Sequence, residues 1–175
     1  MLPIWRGMAH SSSRNADEGG QDRPPGGVRE RWRGPITITA ILHGKGHHIV
    51  VAAPDDPVRQ AVALLAEHRI GAVPVVDGDT VVGVFSERDL VYCLRAGDTA
   101  VLDRPVREVM TAPAVTVTPA DAVMGALSLM TRRRIRHLPV VEGGRMIGLV
   151  SIGDLVKYRI ERVEADAAAM RDYIQ

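Results

Sequence analysis

The chain has 175 residues, 46% of them apolar but only 3% aromatic, so one core of ordinary size, or two small cores sharing an interface, must be built from Val, Leu, Ile, Ala and Met. The formal net charge of +1 is unevenly spread: residues 1–35 hold six Arg against four acids, which leaves sixteen basic and seventeen acidic residues for the remainder. A near-neutral body sets aside a protein whose main task is gripping nucleic acid, because phosphate neutralisation dominates such affinity.

Cys93 is the only cysteine, which excludes an intrachain disulfide and a paired-thiol metal or redox site. No run of about 18 apolar residues is present to span a bilayer, and the N-terminus lacks the apolar stretch of a secretory signal. The expected setting is a reducing cytoplasm, with no membrane partner.

Residues 1–35 are rich in Ser, Gly, Pro and Arg, carry Trp5 and Trp32, and show no apolar period. They read as a disordered tail. A first leader follows, in which an amphipathic turn of Ile38, Ile41 and Leu42 leads through a Gly-flanked loop at Lys45 to a short strand near Val50. His43, His47 and His48 lie in this leader, but two glycines break their spacing and no cysteine helps, so they read as a solvent-exposed loop and no metal site is expected.

From Pro54 the chain begins to repeat itself. Shifting the sequence by 65 positions aligns residues 54–92 with 119–157 without a gap, and 16 of the 39 positions are identical, among them Pro54/Pro119, Asp56/Asp121, Gly83/Gly148, Ser86/Ser151 and Asp89/Asp154. Each copy opens with a helix that Asp56 or Asp121 can cap, with Pro57 suited to the first helical position. Val58, Ala61, Val62 and Leu65, and then Val123, Ala126, Leu127 and Met130, supply its apolar stripe. Two short aliphatic runs come next, 72–76 and 80–85, then 137–141 and 145–150. The turns between them contain Asp77, Gly78 and Asp79 or Glu142, Gly143 and Gly144, which predicts hairpins.

A second helix begins at Ser86 or Ser151, and a final helix, charged on one face, is expected over roughly 155–172. The second leader, with Val106, Val109 and Met110, leads to a strand near Val115. The unit is therefore β-α-β-β-α. The expected organisation is a tail (1–35), two repeats with their leaders (36–100 and 101–160) and a C-terminal helical extension (161–175). Neither copy can cover its apolar faces alone, so an α/β (α+β) fold of two tandem repeats related by a pseudo-twofold axis follows.

Residues 36–160 resemble the CBS-domain superfamily, in the tandem arrangement called a Bateman module, of stand-alone bacterial type. The resemblance is carried by the leader ending REVMT (107–111), by HRIGAVPVV (68–76) and RRIRHLPVV (133–141), and above all by VGVFSERDL (82–90) and IGLVSIGDL (147–155). It implies that the cleft between the repeats holds an adenosine ligand such as AMP, ADP, ATP, NAD(H) or S-adenosylmethionine, and that the pairs dimerise into a flat disc. It also implies that the Asp of each Ser-x-x-Asp binds ribose hydroxyls while the Ser and nearby basic residues face phosphate.

The physics of a Ser-x-x-Asp at a helix start agrees with that role, since free N–H groups and the helix dipole favour an anion there. The same spacing also makes a capping box with no ligand at all. The copies differ in charge: copy 1 has Arg88 where copy 2 has Gly153, and copy 2 has Arg136 and His137 where copy 1 has Gly71 and Ala72. If, as the resemblance implies, each hook is completed by the other repeat, the cations gather in one cleft. The main cleft is then expected to hold Ser86, Arg88, Asp89, Arg136 and His137, with Ala72 and the loop residue Lys45. A second, weaker cleft keeps Ser151 and Asp154 beside the uncharged Gly153, Gly71 and Ala72.

No nucleophile with a base, and no carboxylate pair in one pocket, suggests an enzyme. The expectation is a regulatory sensor of an adenine nucleotide, AMP first, acting as a homodimer on a regulated protein. The alternative of a different class is a dimerisation scaffold with a vestigial cleft.

Overall fold

The computed structural model describes residues 36–45, 49–95, 97 and 100–174. The expected disordered tail with Trp5 and Trp32, and also His47 and His48, lie outside these residues. Among the described residues there are five α-helices and two two-stranded antiparallel sheets. In chain order they are α1 (Ile38–Lys45), α2 (Val58–His68), β1 (Ala72–Asp77), β2 (Thr80–Ser86), α3 (Glu87–Arg95), α4 (Val123–Arg133), β3 (His137–Glu142), β4 (Arg145–Ser151) and α5 (Ile152–Ile174). Short 3-10 turns at Val101–Asp103 and Val106–Glu108 carry the second leader.

The hairpins pair in the same register, Ala72 opposite Ser86 in one and His137 opposite Ser151 in the other. Gly143 and Gly144 both have positive φ, as a tight two-residue turn of the hairpin-favoured hand requires. The helical stripes bury as their spacing predicts, with Val58, Ala61 and Leu65 on α2 and Val123, Ala126 and Met130 on α4.

The expected leader strands shrink to single parallel bridges, Ala52 with Val75 and Val117 with Val140, each two residues beyond the predicted place. Proline sets the limit. Ala52 donates to the Pro74 carbonyl and accepts from Val76 N–H, and Val117 does the same with Pro139 and Val141. One step back, the ladder would need an N–H from Pro74 or Pro139; one step forward, from Pro54 or Pro119. None of these has one.

Asp56 and Asp121 do not cap the helices that follow them. Their carboxylates accept backward, from the N–H groups of Ala53 and Thr118, at 2.7 and 2.6 Å. Pro57 sits at the N-cap itself, one place before the first helical residue. The helix-start donors are satisfied across the repeats instead: Val58 N–H bonds the Arg104 carbonyl, and Val123 N–H the Ile36 carbonyl, at 2.9 and 2.8 Å. In return Val106 and Arg107 donate to the carbonyls of Asp56 and Pro54, and Ile38 and Thr39 to those of Asp121 and Pro119.

Each leader thus packs on the repeat it does not introduce. Ile38 and Ile41 belong to the core of Val123, Leu138, Val150 and Leu155. Val101 and Val106 belong to that of Val58, Val73, Val75 and Phe85. The predicted second helix of copy 2 and the C-terminal helix are one continuous helix of 23 residues, α5, with no break near 155.

Gly83 and Gly148 are the places where the exchanged leaders come closest. A Cβ on Gly83 would collide with the Met110 side chain and meet the Thr111 carbonyl oxygen at 3.0 Å, whereas one on Gly148 would meet only the side chain of Leu42. A flexible side chain yields more readily than backbone. Gly83→Ala should therefore cost about 1–3 kcal/mol and Gly148→Ala clearly less, read as the difference between their urea unfolding midpoints.

Candidate ligand-binding cleft

Ser86 ends β2 immediately before α3, and Asp89 is the third residue of that helix. Asp89 Oδ2 accepts from Ser86 N–H at 2.8 Å and from Ser86 Oγ at 2.6 Å. Its Oδ1 accepts from Thr111 Oγ1, on the second leader, at 3.1 Å. The second hook has the same frame: Asp154 Oδ2 accepts from Ser151 N–H at 2.7 Å and Ser151 Oγ at 2.8 Å, and Ser151 Oγ accepts from Asp154 N–H at 3.2 Å. The second Ser-x-x-Asp is therefore a complete capping box, and the first shows its backward half, the Asp89 carboxylate on the Ser86 N–H.

A cavity of about 210 Å3 lies beside the first hook. Ser86, Arg88 and Asp89 form one side, and Arg136 and His137 come to it from the other repeat together with Ile135. Gly71 and Ala72, Val84, Glu87, and Thr111, Ala114 and Val115 complete the lining. Val84, Ala114, Val115 and Ile135 supply an apolar wall. Ala114 and Val115 stand outside helix and strand, so their peptide edges are not consumed in a ladder.

Four of the groups facing this space carry fixed charge, and they balance, with Arg88 and Arg136 against Glu87 and Asp89. Arg88 also reaches across the cleft, where its Nη1 donates to the Arg134 carbonyl at 2.7 Å. That carbonyl is exposed to it because Arg134 closes α4 in the left-handed conformation, φ 54°. His137 is held below its ordinary pKa of 6.5, first by burial and then by the positive charge of Lys45, with Arg136 adding to the effect and Asp154 and Glu87 opposing it. It is the uncommitted charge of the site.

Of the residues expected in the main cleft, Ser86, Arg88, Asp89, Ala72, Arg136 and His137 line this one cavity. Lys45 does not. Its Nζ lies 2.5 Å from Asp154 Oδ2 and donates to the Leu149 carbonyl at 3.1 Å, so it occupies the second hook. The exchange of leaders is the reason, because α1 packs on the second repeat and ends against β4 and α5. The second hook is accordingly not without a cation, and Gly71, expected beside it, lines the main cavity.

Burial pushes the Asp154 carboxyl upward, but hydrogen bonds from Lys45 and Ser151 outweigh it and hold the group below its ordinary value. His43 is exposed at the end of α1. No cluster of three or more His, Cys, Asp or Glu among the described residues could hold a metal ion.

The family model described as CBS domain matches residues 46–96 and again 106–161, more than half of the sequence. The chain belongs to the CBS-domain family. It is 31% identical over 160 residues to the mitochondrial CBS domain-containing protein CBSX3 of Arabidopsis thaliana, covering 86% of this chain and 78% of that protein. Among solved structures, a CBS-domain containing protein of Agrobacterium tumefaciens shares 38% identity with a TM-score of 0.67, over 70% of this chain and 98% of that one. A CBS domain protein of Pyrobaculum aerophilum, complexed with AMP, shares 29% identity with a TM-score of 0.61, over 68% and 89%.

Within this CBS pair, two lining residues escape a reading of the motifs alone. Thr111 ends the leader REVMT, and only the exchange of leaders brings it to Asp89. Glu87 stands inside the Ser-x-x-Asp spacing, where copy 2 has Ile152; aligning the copies for acids as well as bases reveals it.

Lys45→Met tests the second hook. It removes the strongest influence lowering the Asp154 pKa, so that carboxyl should titrate at higher pH, read by carboxyl NMR. A depressed carboxyl stabilises the fold above its unfolded pKa of 3.8 and loses that contribution as pH falls through its folded value. The wild-type advantage over Lys45→Met should thus be present at neutral pH and vanish in acid. Because both side chains are partly solvated, it should be only about 0–1 kcal/mol.

Proposed function

We propose that this CBS pair is a non-enzymatic sensor that binds an adenine nucleotide, AMP before NAD(H), ATP or S-adenosylmethionine, in the cavity at Ser86 and Asp89. The observation that carries the reading is the meeting of Ser86, Arg88 and Asp89 with Arg136 and His137 of the other repeat around one apolar-walled space. In this reading Val84, Ala114, Val115 and Ile135 enclose the base. Asp89 Oδ1, which has a single donor, takes a ribose hydroxyl. Ser86, Arg136 and His137 face the phosphate.

A cavity of about 210 Å3 is small for a cofactor site, which favours a mononucleotide over a dinucleotide. A longer ligand would have to run towards the second hook, where Lys45 already holds Asp154. The AMP complex of the Pyrobaculum relative supports the same choice. The protein acts in the cytoplasm as a homodimer whose nucleotide shifts the balance between dimer shapes and so alters contact with a regulated protein. The working repeat limits are 36–100 and 101–160, with 161–175 as an extension.

The second reading, a dimerisation scaffold with a vestigial cleft, is favoured by one observation: both hook carboxylates already serve as helix caps. Thermal unfolding with AMP, ATP, NADH and S-adenosylmethionine separates the two, since a ligand at 100 times its Kd adds about 2.7 kcal/mol of stability. AMP should raise Tm, Asp89→Ala and Arg136→Glu should abolish the rise, and Asp154→Ala should leave most of it. No rise with any of the four ligands sinks the sensor.

His137 gives a pH signature. Neutral in the free protein because its pKa is depressed, it gains a proton when a phosphate sits beside it, so AMP binding takes up protons and wild type gains affinity relative to His137→Ala as pH falls from 7.5 to 6.5. Comparison with His137→Ala cancels the titration of the phosphate itself. In the free protein the sign is opposite: the contribution of neutral His137 is full above pH 6.5 and is lost as pH falls through its lower folded value.

A further inference from the structure

We infer that the outer half of α5 is a parallel two-stranded coiled-coil seam that joins this chain to a second copy of itself. The inference deepens the homodimer of the preceding reading by assigning a surface and an orientation to it. Only the first turns of α5 face the body, through Ile152, Leu155 and Tyr158, with Arg162 half-buried. Beyond Arg162 every described side chain is exposed, so about 18 Å of helix, twelve residues at 1.5 Å each, stands away from its own core. A helix that long, left bare, is marginal in water unless an apolar face is covered.

The bare helix carries such a face. Val156, Ile160, Val163, Ala167 and Met170 follow one another at spacings of 4, 3, 4 and 3, the a/d pattern of a heptad repeat. Their exposure is 43% for Val156, 53% for Ile160, 50% for Val163 and 69% for Met170. With Ile160 and Ala167 at a and Val156, Val163 and Met170 at d, the flanking g positions are Arg159 and Asp166, and the e positions are Lys157, Glu164 and Arg171.

Charge decides the occupant and its direction. In a parallel pair each g residue meets the e residue five places on in the partner. Arg159 then faces the partner's Glu164, and Asp166 faces the partner's Arg171: two complementary pairs, doubled by symmetry. Among the described residues Arg159 and Glu164 show no ion pair along their own helix, whose pairs there are Lys157 with Glu161 and Arg162 with Asp166.

An antiparallel pair aligned so that the seam overlaps from Ile160 to Met170 brings Glu164 opposite itself, and Asp166 likewise. Shifting it by one heptad restores complementarity, but towards the bodies it drives each tip into the other body at the root of α5, and away from them it shortens the overlap to residues 163–174 and leaves Ile160 and Val156 uncovered. The parallel pair leaves both bodies side by side at one end and needs no shift.

The test uses the full chain with Cys93→Ser, so that a cysteine placed at Val163 is the only thiol. In a glutathione buffer Val163→Cys should form a disulfide dimer with itself. Arg159→Glu or Glu164→Arg added alone should each lower the linked fraction roughly tenfold, by turning two attractive pairs into repulsive ones. Mixing the two reversed chains, one carrying a size tag, should restore linking and give more mixed dimer than a random draw.

No linked dimer, or linking that ignores the charge reversals, overturns the seam. Linking that arises only when Val163→Cys is mixed with Ala167→Cys, which face each other when the antiparallel seam overlaps from Ile160 to Met170, shows an antiparallel pair and overturns the parallel assignment. Sedimentation and AMP binding on the same samples keep the readings apart. A dimer that persists without linking at residue 163 counts against the seam alone, and loss of AMP binding counts against the sensor alone.

Discussion

Everything in this molecule depends on the exchange of leaders between the two repeats. Residues 36–45, with α1, and residues 101–108, with the two 3-10 turns, each supply what the other repeat's first helix lacks. They accept from the otherwise orphaned N–H at the helix start and donate to the carbonyls of the turn before it. They also place apolar side chains into that repeat's core, Ile38 and Ile41 on one side and Val101 and Val106 on the other. Removing either leader would leave buried polar groups unpaired and a hydrophobic groove open at once. The two repeats are therefore joined more firmly than two small hairpin layers touching at their faces could be, and the cleft between them inherits that rigidity.

The exchange also decides what each hook meets. The second leader brings Thr111 to Asp89, and the first brings Lys45 to Asp154. A hydroxyl makes one hydrogen bond and leaves the carboxylate negative; an ammonium neutralises it and fills the space in front. Two hooks with the same backbone geometry are thus unequal before any ligand arrives. The capping role and the proposed ligand role are compatible at Asp89, because the cap uses Oδ2 and leaves Oδ1 with Thr111 Oγ1 as its one donor. Sequence spacing made these readings look like rivals, but a cap on Oδ2 does not exclude the proposed role of Oδ1.

The repeat made most of the fold legible. Its register gave the helices, hairpins and stripes, since a pattern that occurs twice at one spacing constrains both copies. The short leader strands were misjudged although the reason was written in the chain: Pro54, Pro74, Pro119 and Pro139 sit at the places where a third strand would need donors. The capping role of Asp56 and Asp121 failed for a reason no local pattern carries, because the competing acceptors, Arg104 and Ile36, lie far along the chain. Lys45 was misplaced for the same reason. The convergence of Ser86, Arg88 and Asp89 with Arg136 and His137 was legible only through the family resemblance, which implied that each hook is completed by the other repeat; the charge differences between copies then pointed to the cleft where the arginines meet.

Where the copies differ is itself a physical argument. The frame positions are identical or conservatively exchanged: the glycines that admit the leaders, the Ser and Asp of each cap, the prolines that bound the leader bridges, the buried stripes. The positions around the hooks that differ in charge, 71 and 136, 72 and 137, 87 and 152, 88 and 153, contribute only backbone groups to the bonds the copies share, such as Glu87 N–H to the Gly71 carbonyl and Ile152 N–H to that of Arg136. Side chains at these places can change without opening a core or orphaning a donor. A duplicated fold of this kind can therefore turn one of two equal clefts into a charged site and let the other close on its own lysine at little cost to the frame. His137, which feels Lys45 and Asp154 from one hook and Arg136 and Glu87 from the other, stands where a change of charge in either cleft reaches both.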